Sequence, residues 1–316
     1  MLPSRLIAHA VIGAAVLTAA SARADDEIKR PDKVSFYFAA HADDWQLFMN
    51  PTAFEDVIKN AKKTVFVHVT AGDAGIGTGN NGRRFPYYLA RENGAETAIR
   101  FMADADAIPG DRVAEYMTFN GHSIYRISYR NTVSYFLRVP DGNATGAGYA
   151  KTGFQSLQRL ANGENNLLAA IDGSTAYHGW ADFVATVRAI LIYERGTASL
   201  IQVNAAELDP RLNPRDHSDH LTTARAAYEA AEPLSCVRKV SYVDYATMNM
   251  PPNLNAEQRD LESSVYAVTL AGVLAFDHGA SWHHYDESFV GRNYFRVVEP
   301  NGTCVPTTTV AAAGHH

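Results

Sequence analysis

Two short stretches of the chain combine the residue types that bind metal ions and transfer protons. The first, 41–44, has the sequence His-Ala-Asp-Asp and follows an apolar, β-prone run. The second, 216–220, has the sequence Asp-His-Ser-Asp-His and leads into a helical pattern. Imidazole and carboxylate groups that leave a strand end can converge on one cation such as Zn2+. Two histidines and one aspartate, with a coordination position left open, are typical of a catalytic zinc that activates a water molecule.

In this order, the two stretches resemble the two signatures of the PIG-L (LmbE-like) zinc-dependent N-deacetylases. The resemblance continues through 69–75 and 87–92 and covers most of the chain from about residue 33 to about residue 300. The segments 47–51 and 138–142 are similar to counterparts in the secreted bacterial branch of the family. The resemblance implies a Rossmann-like three-layer sandwich, N-deacetylase activity and Zn2+ as the cofactor.

The resemblance also implies a role for each polar residue of the two stretches. His41, Asp44 and His220 would bind the zinc ion. Asp43 would act as the base that takes a proton from the attacking water and later passes one to the leaving amine. Neighbouring residues of an extended segment point in different directions, which leaves Asp43 free of the metal. His217 would assist at the tetrahedral intermediate as a donor near the developing oxyanion.

Three further residues are predicted to contact the substrate or to support the site. Arg91 matches the family arginine that reaches into the substrate site, with a surface ion pair to a neighbouring glutamate as the alternative. Trp45 stands where the family usually has an acidic residue, and we expect it to add an apolar or stacking wall to the substrate site. Asp219 is predicted to contact the substrate or to orient one of the two neighbouring histidines. Ala42 replaces the usual proline, which loosens the loop without removing a ligand.

Other polar or glycine-rich patterns are weaker signals. Asp216 or Ser218 could simply cap the helix that follows. The G-x-G-x-x-G at 77–82 lacks the strand and helix that a dinucleotide site requires, so we interpret it as a loop at the rim of the site. The histidine-rich stretch 277–286 fits no common metal motif and is interpreted as a surface or rim segment. Four other residues are candidates for the substrate-facing surface: Tyr149, Tyr177, His178 and Trp180.

The alternation of strands and helices predicts an α/β sheet that positions these residues. Strand 34–40, helix 51–62 and strand 64–70 form a β-α-β unit, which implies a parallel pair with a right-handed crossover. Asn120-Gly121 predicts a hairpin over 113–129. The remaining predicted elements are helices at 87–105, 180–193 and 256–276 and strands at 133–139, 199–203, 237–242 and 295–298. The fold prediction is therefore a mainly parallel sheet with an added β-hairpin region.

The two ends of the chain predict its processing and location. Arg5, the apolar run 6–20 and Ala-Arg-Ala at 22–24 form the pattern of a signal peptide, 1–24, in a secreted or periplasmic protein. Residues 307–316 are interpreted as a disordered tail or tag remnant, which leaves one domain at 25–306. In an oxidising compartment the two cysteines, Cys236 and Cys304, are expected to form a disulfide.

Composition excludes some partners. The 316 residues include 28 basic and 34 acidic side chains, a net charge of −6, with no basic run. This argues against a nucleic acid or an anionic membrane as a partner. Apart from the signal peptide, no stretch is long and apolar enough to be an integral membrane segment.

The leading functional hypothesis is an exported zinc-dependent hydrolase that removes an N-acyl group, N-acetyl in the first place, from an amino sugar or glycoconjugate. One alternative is hydrolysis of a non-sugar N-acyl amide or an ester at the same metal. The other is a non-catalytic carbohydrate-binding protein that retains the fold.

Overall fold

The computed structural model describes residues 30–105, 110–280, 282, 287–302 and 304–305. The predicted signal peptide, 1–24, and the predicted tail, 307–316, lie outside the described residues, as do the adjacent histidines at 283 and 284. None of the described helices is long and apolar enough to span a membrane.

The described residues form one large mixed sheet with the strand order β10-β9-β8-β1-β2-β5-β4-β3. Its five central strands, from β9 to β5, run parallel, whereas β10, β4 and β3 are antiparallel to their neighbours. The strands are β1 (Lys33–Ala39), β2 (Lys63–Thr70), β3 (Arg112–Phe119), β4 (His122–Tyr129), β5 (Thr132–Val139), β8 (Leu200–Ala206), β9 (Val237–Tyr242) and β10 (Phe295–Val298), with β6 (Leu168–Ala169) and β7 (Ala176–Tyr177) forming a separate ribbon. The predicted α/β class and the hairpin β3–β4 are confirmed.

Helices cover both faces of the central sheet. The helices are α1 (Asp44–Phe48), α2 (Thr52–Glu55), α3 (Tyr87–Ala103), α4 (Leu157–Ala161), α5 (Trp180–Arg195), α6 (Ser218–Ala231) and α7 (Ala256–Ala275). Every residue of β1 is buried, because its alternate side chains enter two cores. Phe36 and Phe38 pack with α5 and α6, and Tyr37 and Ala39 pack with α1, α3 and α7. The layers are therefore helix, sheet and helix.

Helices α3 and α7 approach closely at two glycines. A Cβ atom on Gly94 would lie 2.8 Å from the carbonyl oxygen of Thr269, and one on Gly272 would lie 2.8 Å from that of Asn93. Larger residues at either position would push the helices apart. This contact fixes α3, which carries Arg91, against α7.

The segment after β1 differs most from its predicted form. The short helix α1 precedes the predicted helix, and the predicted helix itself is regular only over α2 before it widens into a π-type turn at Asp56–Asn60. In that turn the buried carboxylate of Asp56 accepts hydrogen bonds from Lys33, Ser35 and Tyr37. These hydrogen bonds between distant residues hold the turn against β1. The spacing of hydrophobic residues along the sequence does not predict them.

Cys236 and Cys304 form a disulfide, as predicted. The bond ties the residue before β9 to the segment that follows β10, across a sequence separation of 68 residues. It thereby anchors the last strand of the sheet, at the edge opposite β3.

Candidate metal centre and cleft

The two predicted motifs meet at the carboxyl ends of adjacent parallel strands. β1 ends at Ala39, and His41 and Asp44 follow within one turn. Its neighbour β8 ends at Ala206 and leads through a loop to α6, whose first turn contains His220. The carboxyl edge of an open α/β sheet is where such folds hold ligands.

Three nitrogen and oxygen atoms form a nearly equilateral triangle at this edge. His41 Nδ1 lies 3.3 Å from Asp44 Oδ1 and 3.2 Å from His220 Nε2, and His220 Nε2 lies 3.3 Å from Asp44 Oδ1. All three side chains are buried. Ligand atoms about 2.0–2.1 Å from a tetrahedral zinc lie roughly 3.3–3.4 Å from one another. The donor set and its spacing therefore fit one tetrahedral ion of that size.

Carboxylates on the far side of each imidazole fix which nitrogen faces the triangle. His220 Nδ1 lies 2.9 Å from Asp216 Oδ1 and 3.3 Å from Asp244 Oδ2. His41 Nε2 lies 3.5 Å from Asp219 Oδ2. An N–H that donates to a carboxylate leaves the other ring nitrogen as the metal ligand, and it also raises the basicity of that nitrogen. With a metal ion bound, both rings would therefore direct a lone pair toward the triangle.

Asp219 lies beside two histidines of the site, His41 and His217. Its side chain is fully buried, accepts a hydrogen bond of 2.8 Å from the backbone N–H of Gly142, and faces His41 more closely than His217. It is absent from the cleft lining. The structure thus gives Asp219 the position of an outer partner of His41, and not of a substrate contact.

In the metal-free protein, the pKa values of the three proposed ligands differ from those of free side chains. Burial lowers the pKa of His41, but attraction by Asp44 and the hydrogen bonds that the ring donates to Asp219 and Asp44 outweigh it and raise that pKa to about 10. Burial likewise opposes the charge of His220, yet Asp44 and Asp216 hold its pKa well above the usual range. Despite burial, both histidines hold the pKa of Asp44 well below its usual range.

Metal binding should therefore release protons. At neutral pH a metal ion must displace at least one proton from the pair His41 and His220, because a protonated nitrogen cannot coordinate. The affinity for Zn2+ should rise with pH until both rings are neutral in the free protein. Calorimetric titration in buffers of different ionisation enthalpy measures the number released. Heats that do not depend on the buffer would contradict this account of the site.

Asp43 and Arg91 form an ion pair on the wall of the cleft. Arg91 also donates a hydrogen bond of 2.8 Å to the carbonyl oxygen of Gly72. A Cβ atom on Gly72 would lie 2.6 Å from Arg91 Nη1, and the φ of Gly72 is +53°, so only glycine suits this position. Arg91 thus lies in the cleft and does not form the alternative surface pair. The carboxylate of Asp43 is one-third exposed, with its orientation fixed by the guanidinium.

His217 caps α6 in a way that fixes its tautomer. Its Nδ1 accepts a hydrogen bond of 3.1 Å from the backbone N–H of Asp219. Burial, and next the charge of His41, lower the pKa of His217 to about 4, so the ring is neutral at neutral pH. The ring proton is then on Nε2. His217 therefore presents a neutral N–H donor among the residues that line the cleft.

The structure does not bring Trp45 to the substrate site. Its side chain is fully buried, packs on Phe66 at 4.7 Å between ring centroids, and donates a hydrogen bond of 3.2 Å to His68. Because α1 begins at Asp44, Trp45 points into the core between α1 and the sheet. Tyr177 is likewise buried, and Trp180 donates to Glu229 on α6.

The cleft has a polar side and an apolar side around a volume of about 170 Å3. Asp141, which follows β5 and lies 4.0 Å from His41, joins Asp43, Arg91 and His217 on the polar side. The apolar side, called the aromatic wall below, consists of Leu47, Phe48, Tyr245 and Phe289. No site role was predicted from the sequence for Asp141, for Asp244 or for the wall residues.

A buried carboxyl supports the loop that carries Phe289. Glu262 of α7 accepts a hydrogen bond of 2.6 Å from the backbone N–H of Gly291. Burial raises the pKa of Glu262 to about 8, although that hydrogen bond and the charge of Arg292 act in the opposite direction. The carboxyl of Glu262 is therefore neutral at neutral pH.

The raised pKa of Glu262 should make the free energy of unfolding depend on pH. Glu262 contributes fully to stability below its ordinary pKa of 4.5, and that contribution is lost as the pH rises through about 8. Relative to Glu262→Gln, the wild type should lose a few kcal/mol of unfolding free energy over this range. Denaturant unfolding at a series of pH values measures the difference, with Glu257→Gln, exposed on the same helix, as the control. Parallel curves for the wild type and Glu262→Gln would contradict the raised pKa.

Comparisons with known proteins give little further information. No family model matches the chain, and no curated protein sequence matches it significantly. The chain is similar to a solved structure, the N,N'-diacetylchitobiose deacetylase from Pyrococcus horikoshii complexed with its inhibitor MPG, at 15% sequence identity and a TM-score of 0.45, over 85% of this chain and 84% of that chain. Membership of the PIG-L (LmbE-like) family stays a prediction from the motifs.

Proposed function

We propose that the protein is an exported, zinc-dependent hydrolase that removes an N-acyl group, N-acetyl in the first place, from an amino sugar or glycoconjugate. The observation that carries this proposal is the triangle of His41, Asp44 and His220, whose donor atoms lie 3.2–3.3 Å apart and two of whose residues, His41 and Asp44, line the cleft. Asp43 and His217 line the same cleft with a carboxylate and a neutral N–H donor. The choice of an amino sugar follows from the motif resemblance.

Hydrolysis of an amide needs a proton acceptor, a proton donor and a group that stabilises negative charge on the carbonyl oxygen. When bound, zinc would supply Lewis acidity and lower the pKa of the attacking water. Asp43, oriented by Arg91, accepts the proton of that water and returns a proton to the leaving nitrogen. The Nε2–H of His217 donates to the developing oxyanion. The products are a carboxylate and a free amine.

A pure binding protein does not require this combination. A metal triangle alone could hold a ligand, but a carboxylate held by an arginine and a histidine fixed as a neutral donor are suited to proton transfer and charge stabilisation. The convergence of both on one cleft favours catalysis over the non-catalytic alternative.

The activity test is a panel of acetylated compounds offered to the zinc-loaded protein. We expect release of acetate and free amine in equal amounts from N-acetylglucosamine or its β-linked oligomers. Faster turnover of N-acetyl amino acids or acetate esters would assign the alternative substrates at the same metal. Sugar binding without release of acetate from any compound would indicate a binding protein and overturn the proposal.

Export has its own test. The proposed signal peptide predicts that the protein isolated from its native host begins at Asp25. Amino-terminal sequencing of that protein provides the measurement. A mature chain that still begins at Met1 would contradict export by a cleaved signal.

A further inference from the structure

The aromatic wall is a rigid, closely packed surface. The ring centroids of Phe48 and Phe289 lie 5.1 Å apart, those of Tyr245 and Phe289 lie 5.6 Å apart, and those of Phe48 and Tyr245 lie 5.9 Å apart. The side-chain amide of Asn293 donates to the backbone carbonyls of Phe48 and Asn50. These bonds join the loop that carries Phe289 to the end of α1, so the wall is held from both sides.

The wall lies directly beside one proposed metal ligand. The ring of Tyr245 lies 4.9 Å from that of His220, and the ring of Phe48 lies 5.9 Å from it. Tyr245 also follows Asp244, whose carboxylate lies 3.3 Å from His220 Nδ1. A group bound against the wall would therefore be next to the reacting carbonyl.

The polar and the apolar residues of the cleft can bind different parts of a substrate. An N-acylated amino sugar has an apolar acyl chain on one side of the amide and a hydroxylated ring on the other. Hydroxyl groups placed against the wall would lose their hydrogen bonds to water without replacement, which is costly. An acyl chain forms no hydrogen bonds with water, so it would lose none against the wall. Asp43, Arg91 and Asp141, which line the same cleft, offer charged partners to the sugar hydroxyls.

The wall is too enclosed to serve as a stacking platform for a sugar. Platform rings must expose a face, but Phe48 is 1% exposed and Phe289 is 0% exposed. The cleft volume of about 170 Å3 also lies below the roughly 300–1,000 Å3 of pockets that enclose drug-sized ligands. Only a small group fits beside the wall.

We propose that the aromatic wall is the acyl subsite, and that Leu47 and Phe289 limit the substrate to short acyl groups. This inference depends on the proposed function, because it orients the same amide in the same cleft. It predicts that the wild type strongly prefers acetyl over butyryl on one amine. A hydrophobic pocket discriminates by about 10–200-fold for one methylene group.

Two substitutions should relax this preference. Phe289→Leu and Leu47→Ala each remove atoms from the wall and lengthen the space available to the acyl chain. We expect the ratio of kcat/KM for acetyl over butyryl to fall by about tenfold or more in each variant. Phe183→Leu, an equally buried substitution in the opposite core, is the matched control and should leave the ratio unchanged. Thermal unfolding of all variants verifies that they fold.

A binding measurement separates the two proposals. The carboxylate products, acetate and butyrate, are titrated into zinc-loaded protein, and butyrate should gain affinity relative to acetate in both wall variants but not in the control. Absence of hydrolysis for every acyl length in the wild type would overturn the proposed function. Hydrolysis with the same acetyl-to-butyryl ratio in the wild type and both wall variants would overturn the acyl subsite alone. A change only in the discrimination among amines would assign the wall to the sugar and likewise overturn it.

Discussion

Asp43→Asn is expected to lower kcat/KM by about 10²–10⁴-fold, the range typical of general acid–base catalysis. The amide has the size of the carboxylate but cannot accept the proton of the attacking water. Asp43 contributes no atom to the metal triangle. The variant should therefore still bind one equivalent of zinc. Steady-state kinetics on the same N-acetyl substrate, together with elemental analysis, measure both effects.

Asp260→Asn provides the control for this substitution, since Asp260 is exposed on α7. Its kcat/KM should equal that of the wild type. If Asp43→Asn retained activity within tenfold of the wild type, the base would have to be another residue. Among the described residues, Asp141 is the other aspartate that lines the cleft outside the triangle. Loss of zinc along with activity would instead show that Asp43 supports the metal.

His220→Ala should produce the second large effect, on metal affinity. It removes one corner of the triangle and leaves two protein ligands, which is too few for a stable zinc site. Asp216→Asn removes the nearer of the two outer carboxylates of His220, 2.9 Å from its Nδ1, and leaves Asp244 at 3.3 Å. Loss of an outer partner typically lowers metal affinity by about 10–100-fold, so His220→Ala should exceed that range.

Competition with a chromophoric chelator measures both dissociation constants, and circular dichroism verifies that each variant is folded. The expected order is wild type tightest, then Asp216→Asn, then His220→Ala. If His220→Ala bound zinc as tightly as the wild type, His220 would not be a ligand. A weaker affinity in Asp216→Asn than in His220→Ala would contradict the division into ligand and outer partner.

The sequence predicted the part of the site that depends on strand ends. His41 and Asp44 follow a buried strand, and His220 lies in the first turn of a helix that follows the adjacent parallel strand, so their meeting follows from the sheet topology. Arg91 lines the cleft because helix α3 follows β2 at the same edge, and its contact with a substrate stays a prediction.

The residues that the sequence missed or misplaced depend on packing between distant segments. Asp244 and Phe289 come from late loops whose positions are set by contacts with α6 and α1, and local spacing contains no signal for either. Trp45 follows a ligand in sequence, but a one-residue step along α1 rotates its side chain away from the cleft and into the core. Asp219 was expected beside His217 or His220 because of sequence proximity, whereas the fold places it closest to His41.

Some local elements could be predicted from the sequence because a short motif alone determines their backbone conformation. Asn120 and Gly121 both have positive φ, as the predicted hairpin turn requires, and β3 and β4 pair on either side. The segment over 51–62 could not be predicted in the same way. Its regular helix is interrupted where Asp56 meets Lys33 and Tyr37, and this contact exists only once β1 is in place.

The most direct test of the central claim is to locate the metal. A crystal of the protein grown with zinc, with diffraction measured on both sides of the zinc absorption edge, gives an anomalous map that marks zinc atoms alone. We predict one strong peak per chain, within bonding distance of His41 Nδ1, Asp44 Oδ1 and His220 Nε2. A peak among His41, Asp141, His217 and Asp219, or no peak at the carboxyl edge of β1, would contradict the account.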